Sequence, residues 1–330
     1  MKKPLGVWLL ACCALVFLMV VTGGVTRLTH SGLSIVEWKP VVGAIPPMGE
    51  AAWTEEFAKY QLTPEYQRIN AGMSLDEFKS IFWMEYLHRL LGRVAGLTFV
   101  LPFLYFAYAG RIGKESVLRL ALIALLWAGQ GALGWYMVKS GLVLDPHVSH
   151  YRLTAHLLAA CILYAAMLWT ALDWLRPAGG LANPALARLT TVAVGLVFVT
   201  IASGGLVAGL RAGLVYPTFP KMGESWLPIY PMDLRPWWTN FFDNQVVVQS
   251  DHRVLAGLLT ALVAALWARG RSWNGPRLGF HLLMAAVLVQ AALGALTLVF
   301  LVPVPLAALH QANALLLLGA ALLTRHDLTA

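Results

Sequence analysis

The sequence predicts an all-α integral membrane protein. Eight transmembrane helices form two parallel-repeat four-helix bundles, with long outer loops that contain short helices. Three observations predict this. Of 330 residues, 59% are hydrophobic and only 12% charged, against about 45–50% and about 25% in soluble domains; the mean hydropathy is +0.68. Eight apolar runs are each long enough to cross a hydrocarbon core about 30 Å thick. Finally, motifs of the first half return in the second half in the same order.

The runs lie at roughly 5–25, 81–109, 118–138, 153–175, 188–209, 251–268, 279–301 and 305–323. The first follows Lys2 and Lys3 but ends in Val21-Thr22-Gly23-Gly24-Val25, without an A-x-A-like cleavage site, so it reads as a retained helix rather than a signal peptide. A loop from Thr26 to Ser80 follows, carrying Thr29-His30-Ser31-Gly32-Leu33-Ser34 and Trp38-Lys39-Pro40. Its second part holds Trp53, Phe57, Tyr60, Tyr66 and Phe78 at the period of short amphipathic helices, which predicts an ordered cap.

Helix two opens with Glu85-Tyr86-Leu87-His88-Arg89-Leu90-Leu91-Gly92-Arg93. Titratable groups are costly inside a membrane helix, so such a cluster points to function. Helix three contains Gln130-Gly131-Ala132-Leu133-Gly134, and helix four has His156 near its start, after a loop with His147 and His150. The linker from Arg176 through Gly179-Gly180 to Pro184 divides the chain into halves 1–178 and 179–330.

The second half repeats the first. Ser203-Gly204-Gly205-Leu206 matches Thr22-Gly23-Gly24-Val25, and Gln249-Ser250-Asp251-His252-Arg253 matches Glu85 to Arg89. Gln290 to Gly294 matches Gln130 to Gly134, and His310 matches His156. With four helices per half, the two copies have the same orientation across the membrane.

Lys and Arg gather in the short connections, at Arg111, Lys114 and Arg119, at Arg176 and Arg188, at Arg269, Arg271 and Arg277, and at Arg325. By the positive-inside rule these connections and both termini face the cytoplasm. The net charge of +8 is therefore topological, with the lipid bilayer rather than nucleic acid as its partner. Cys12 and Cys13 are adjacent, and Cys161 lies in the fourth helix, so the three cysteines read as packing residues rather than a disulfide framework.

His88, His156, His252 and His310 all fall near the outer starts of even-numbered helices. Within each half two parallel helices can present imidazoles to one another, the simplest geometry for a haem held on both faces. Zinc or copper would need more ligands in each half. Arg89, Arg93 and Arg253 are candidates to pair with haem propionates, or to anchor the helices at the interface. His30, His281 and His326 read as solvated or interfacial, while His147 and His150 could meet a ligand's polar edge. The halves differ in one respect: Glu85 lies three residues before His88 on the same face, whereas Gln249 holds that position before His252. A carboxylate can take a proton or stabilise positive charge, and an amide cannot accept the proton, so chemistry falls to the first half.

These motifs, together with Thr26-Arg27, Gly43, Pro46-Pro47 and His310-Gln311, closely resemble the haem A synthase family of the mitochondrial and alphaproteobacterial type, over essentially the whole chain. The resemblance implies an oxidoreductase of the inner membrane that converts haem O to haem A for cytochrome oxidase by successive hydroxylations of the C8 methyl group to a formyl group. It implies substrate haem held by His88 and His156 with Glu85 in the chemistry, and a cofactor haem b held by His252 and His310. It also implies partners such as haem O synthase, an electron-transfer protein and cytochrome oxidase assembly factors, and leaves homo-oligomerisation open. Some bacterial members carry a cysteine pair in an outer loop; this chain has no loop cysteine, so a mechanism using that pair is not open to it. Two rival readings remain, a dihaem b-type electron carrier linked to quinone and a transporter built from the same kind of repeat.

Overall fold

The computed structural model describes residues 2–39, 41–143, 145–176, 183–226 and 232–328. Pro40 and the boundary at 178/179 lie outside the described residues. All regular structure among the described residues is helical. In chain order the α-helices are α1 (Lys2–Leu28), α2 (Glu50–Gln61), α3 (Pro64–Arg68), α4 (Leu75–Tyr108), α5 (Lys114–Gly141), α6 (His150–Leu175), α7 (Pro184–Gly209), α8 (Asn240–Asp243), α9 (Gln245–Gly270), α10 (Leu278–Val299) and α11 (Val304–Asp327). Among the described residues eight are long and apolar enough to span a membrane: α1, α4, α5, α6, α7, α9, α10 and α11. Apart from the break in the ladder at Pro102 of α4, the helical hydrogen bonding of these segments satisfies their backbone, which is what the hydrocarbon region demands.

Helix starts are set by local chemistry. Ser74 and Glu77 form a reciprocal capping box before α4, and the Asn183 and Asn244 side chains accept backbone N–H groups at the starts of α7 and α9. Such caps contribute about 1 kcal/mol each. The capping box starts α4 at Leu75, earlier than the apolar run alone predicts. The added turns carry Phe78 and Phe82, which pack with Tyr60 and Tyr86 in a buried aromatic cluster joined by Trp53, Phe57 and Tyr66. This is the expected ordered cap, built by α2, α3 and the first turns of α4. His88 therefore stands well inside its helix, whereas His156, His252 and His310 lie within two turns or so of theirs.

Packing divides the chain into two compact units, Leu18–His156 and Met1–Phe17 with Leu157–Ala330. Within the larger unit α7, α9, α10 and α11 pack on one another, closed at one end by Leu186, Ala193, Leu266, Phe280 and Leu328. The turn from α10 to α11 is tight, with Leu301 and Val302 both at positive φ and Val302 N donating to Thr297 O at 2.7 Å. This short turn fixes where α11 begins relative to α10. Cys12, Cys13 and Cys161 are free and buried, as packing residues are.

Candidate functional site: two histidine pairs

Each of the four repeated histidines leans on a glycine of the preceding spanning helix. A Cβ added to Gly23 would lie 2.9 Å from His88 Cε1, and one on Gly134 would lie 3.0 Å from His156 Cε1. In the second half the same construction gives 3.1 Å from Gly204 to His252 Cε1 and 3.0 Å from Gly294 to His310 Cε1. Ordinary carbon contacts begin near about 3.5 Å, so any side chain at these glycines would displace the ring. Among glycines inside the spanning helices, Gly134 and Gly294 serve the histidines. Gly92 meets the end of Met19, and Gly96, Gly131 and Gly257 have nothing within 4 Å. The other two ring-backing glycines belong to the Thr22-Gly23 and Ser203-Gly204 pairs.

Those pairs also set the tautomer. His88 Nδ1 lies 3.1 Å from Thr22 Oγ1, whose hydroxyl is directed at Leu18 O, 2.9 Å away. His252 Nδ1 lies 2.8 Å from Ser203 Oγ, which donates to Thr200 O at 2.8 Å. A hydroxyl has one hydrogen, and here the helix carbonyl takes it. The imidazole must then donate through Nδ1–H, which leaves the Nε2 lone pair bare. Repetition of Thr-Gly and Ser-Gly in the sequence signalled these hydroxyls, but their role needed coordinates.

The donor set fits a haem held by two imidazoles. The rings of His252 and His310 stand 6.5 Å apart between centroids, at 80° to each other. Two metal–imidazole bonds of about 2.0–2.1 Å, plus two nitrogen-to-centroid radii of about 1.2 Å, span roughly 6.5 Å. In the first half His88 and His156 stand on α4 and α6, each ring backed by its glycine. Gln130 Nε2 donates to His156 O at 2.9 Å, and His156 Nδ1 is buried with no hydrogen-bond partner. Gln290, in the matching position, places Nε2 3.4 Å from His310 Nε2.

Glu85 is 3% exposed. Its Oε2 accepts from Ser34 Oγ at 2.7 Å and Ile35 N at 2.9 Å, and its Oε1 accepts from Arg89 Nε at 3.0 Å and Nη2 at 2.6 Å. Arg89 also donates to Ile35 O at 2.9 Å and Glu37 O at 3.3 Å. The acid and the arginine together clamp the folded Ser31-Gly32-Leu33-Ser34 segment, in which Ser31, Leu33 and Ser34 are buried, onto α4. The second half repeats the clamp with different polarity. Gln249 Nε2 donates to Tyr216 O at 3.1 Å, and Arg253 donates to Tyr216 O, Pro220 O and Lys221 O at 2.9, 3.4 and 3.3 Å. Here the loop presents a carbonyl, which an amide can satisfy and a carboxylate would repel. Arg93 Nη2 donates to Lys39 O at 3.0 Å, so all three arginines grip loop backbone.

The remaining histidines divide. His30 and His281 are exposed, and His281 Nδ1 accepts from Trp267 Nε1 at 3.1 Å. His326 departs from the expected solvation: it is 6% exposed, 3.2 Å from Asp173 Oδ1, with Trp169 edge-on at 5.3 Å. The reason is that α11 runs on to Asp327, so its last turn is packed. His147 Nδ1 lies 3.1 Å from Asp145 Oδ1, and the His150 ring lies 4.2 Å from that of Tyr151, tilted by 37°.

Eight spanning helices and two histidine pairs, each ring backed by glycine and two locked by hydroxyls, define a multi-pass membrane protein suited to holding planar metal-centred groups. The family model described as cytochrome oxidase assembly protein matches residues 6–322, and the chain belongs to that family. It is 54% identical to a protein of Nitrosospira multiformis named "Heme A synthase", over 99% of this chain and 94% of that one. It is 50% identical to the protein of that name from Nitrosomonas eutropha, over 97% and 92%, and 48% identical to that of Paramagnetospirillum magneticum, over 99% and 94%.

Proposed function

We propose that the chain is a haem A synthase, oxidising the C8 methyl of haem O to a formyl group by successive hydroxylations to give haem A for cytochrome oxidase. One observation supports this best: among the described residues, of two similarly built histidine pairs only one has a buried carboxylate, Glu85, a turn from its first histidine. The half spanning 1–178 holds substrate haem O through His88 and His156, and the half spanning 179–330 holds a haem b through His252 and His310. When bound, haem iron supplies the redox chemistry; methyl to formyl adds one oxygen atom and withdraws four electrons.

The chain's own residues bind, orient and shield. Thr22 and Ser203 keep Nε2 of His88 and His252 free for the metal, and the glycine walls hold the rings at a fixed angle. Glu85 already uses about four acceptor sites, the full capacity of a carboxylate. That favours stabilisation of developing positive charge and positioning of the Ser31–Glu37 loop over proton abstraction. Arg89, Arg93 and Arg253 retain further donor capacity for haem propionates beside the loops they grip.

In this reading the protein lies in the bacterial inner membrane with both termini cytoplasmic and the haem sites near the outer face. Its partners are haem O synthase, an electron-transfer protein and oxidase assembly factors. The test is extraction and identification of haems from the purified protein and from cells making it. Haem A or a hydroxylated intermediate is expected; protohaem alone would favour the dihaem electron carrier. His252→Ala and His310→Ala should each remove a low-spin b-type spectrum, and an unchanged spectrum would place the ligands elsewhere.

A further inference from the structure

The two halves also differ one to two turns inward of the histidines. In the first half Trp127 Nε1 and Gln130 Oε1 are both buried and without a hydrogen-bond partner. They sit three residues apart on α5, hence on one face. That face is the one turned to the histidines: Gln130 Nε2 holds His156 O, Gly134 one turn on backs the His156 ring, and Trp127 packs against Phe99 of α4 at 6.4 Å. From Gly134 back to Gln130 and Trp127 the helix descends roughly 6–10 Å.

The matching positions in the second half leave nothing open. Val287 replaces Trp127 and is 2% exposed. Gln290 Oε1 accepts from Asn313 Nδ2 at 2.8 Å. In the register of Asn313, three residues after the histidine, α6 has Ala159, which offers no donor. A buried polar atom without a partner is unusual and costly, and at these two matching positions the donor and the acceptor are left together in the first half alone.

We infer that Trp127 and Gln130 form a specificity subsite for a hydroxyl group carried by the substrate haem, with Trp127 N–H donating to the hydroxyl oxygen and the hydroxyl donating to Gln130 Oε1. A hydroxyl, with one hydrogen to donate and an oxygen that accepts, satisfies both at once. Haem O carries one at the root of its long apolar chain; protohaem has an apolar vinyl group there, which suits Val287 and the closed Gln290–Asn313 pair. Because a buried group built to bond a substrate hydroxyl is left unpaired by an analogue lacking it, the pair discriminates by penalising protohaem in the first half.

The inference rests on the assignment of haem O to the first half, and the experiment separates the two. Full-length protein, its second site filled with protohaem, is titrated with haem O and separately with protohaem, following the Soret band, and the ratio of the two dissociation constants is the readout. Wild type should favour haem O. Trp127→Phe should lower that preference about five-fold, the loss of one net hydrogen bond, and Trp127→Phe with Gln130→Met should bring it close to unity. A general packing defect weakens both ligands and leaves the ratio unchanged. If His88→Ala abolishes the titration while Trp127→Phe keeps the wild-type ratio, the subsite is overturned alone. If His88→Ala leaves the titration unaltered, the first-half assignment fails and the subsite with it.

Discussion

Ser203→Ala removes one oxygen atom, and the geometry indicates what that costs. In the wild type His252 Nδ1–H donates to Ser203 Oγ at 2.8 Å, and the serine hydrogen is held by Thr200 O. With alanine the Nδ1–H loses its hydroxyl acceptor and keeps only the neighbouring Thr200 carbonyl, so the preference for the tautomer with a free Nε2 weakens. Gly204 still allows the ring its position, since the backbone is untouched and the 3.1 Å approach is unchanged. The loss is therefore that of an outer partner to a metal-bound histidine, about 10–100-fold in affinity, and the intact glycine wall places it at the lower end. Roughly tenfold corresponds to about 1.4 kcal/mol. The assay is titration of haem-depleted protein with protohaem, monitored at the Soret band, with Ser203→Thr as the variant that keeps the acceptor. Unchanged affinity in Ser203→Ala, or equal losses in alanine and threonine variants, would refute the tautomer argument.

Gly204→Ala drives a methyl group toward His252 Cε1 at 3.1 Å and should abolish or broaden the low-spin b spectrum, whereas Gly195→Ala, where nothing lies within 4 Å, should leave it intact. Glu85→Gln should retain haem yet accumulate haem O or a hydroxylated intermediate in extracted pigment; a normal haem A yield would remove the carboxylate from the chemistry. Ser34→Ala withdraws one of the four bonds to Glu85 and should loosen the Ser31–Glu37 segment by about 1–2 kcal/mol, read as faster amide exchange there with haem content retained. In the cap, hydrogen bonds from Lys39 and Lys59 hold the Glu37 carboxyl below its ordinary value of 4.5. A carboxyl lowered by folding contributes stability that is present above its ordinary value and lost as pH falls through the lower folded value, so amide protection around residues 35–61 should fall below about pH 4.5. Protection that rises on acidification would contradict the pairing.

The histidines, the acid and the helices were legible because each leaves a mark along the chain: apolar runs of spanning length, and charged groups set inside them. The Glu85 and Gln249 difference was equally visible, but its meaning was not. Sequence chemistry contrasts a proton acceptor with an amide; the structure adds that one loop offers the Ser34 hydroxyl and the Ile35 N–H while the other offers the Tyr216 carbonyl, so the swap also matches the polarity of the loop. The long start of α4 was missed because Leu75 to Ser80 is polar enough to end an apolar run, while the Ser74 and Glu77 capping box and the aromatic cap keep it helical. His326 read as solvated because an isolated histidine near charged residues gives no sign that Asp173, 153 positions away in the sequence, will meet it.

By itself the sequence determined the class: eight helices, a repeated order of motifs, four histidines in matching places and one unmatched carboxylate. Hydropathy and repetition are properties of the chain, readable without coordinates. Only the tertiary structure decided which nitrogen each locked imidazole keeps free, which glycines serve as walls, and that Trp127 and Gln130 are left unsatisfied in one half while Asn313 closes the other. Those are relations between side chains on different helices, fixed by packing at distances of about 3 Å, where a hydroxyl hydrogen or a single methyl group settles the outcome.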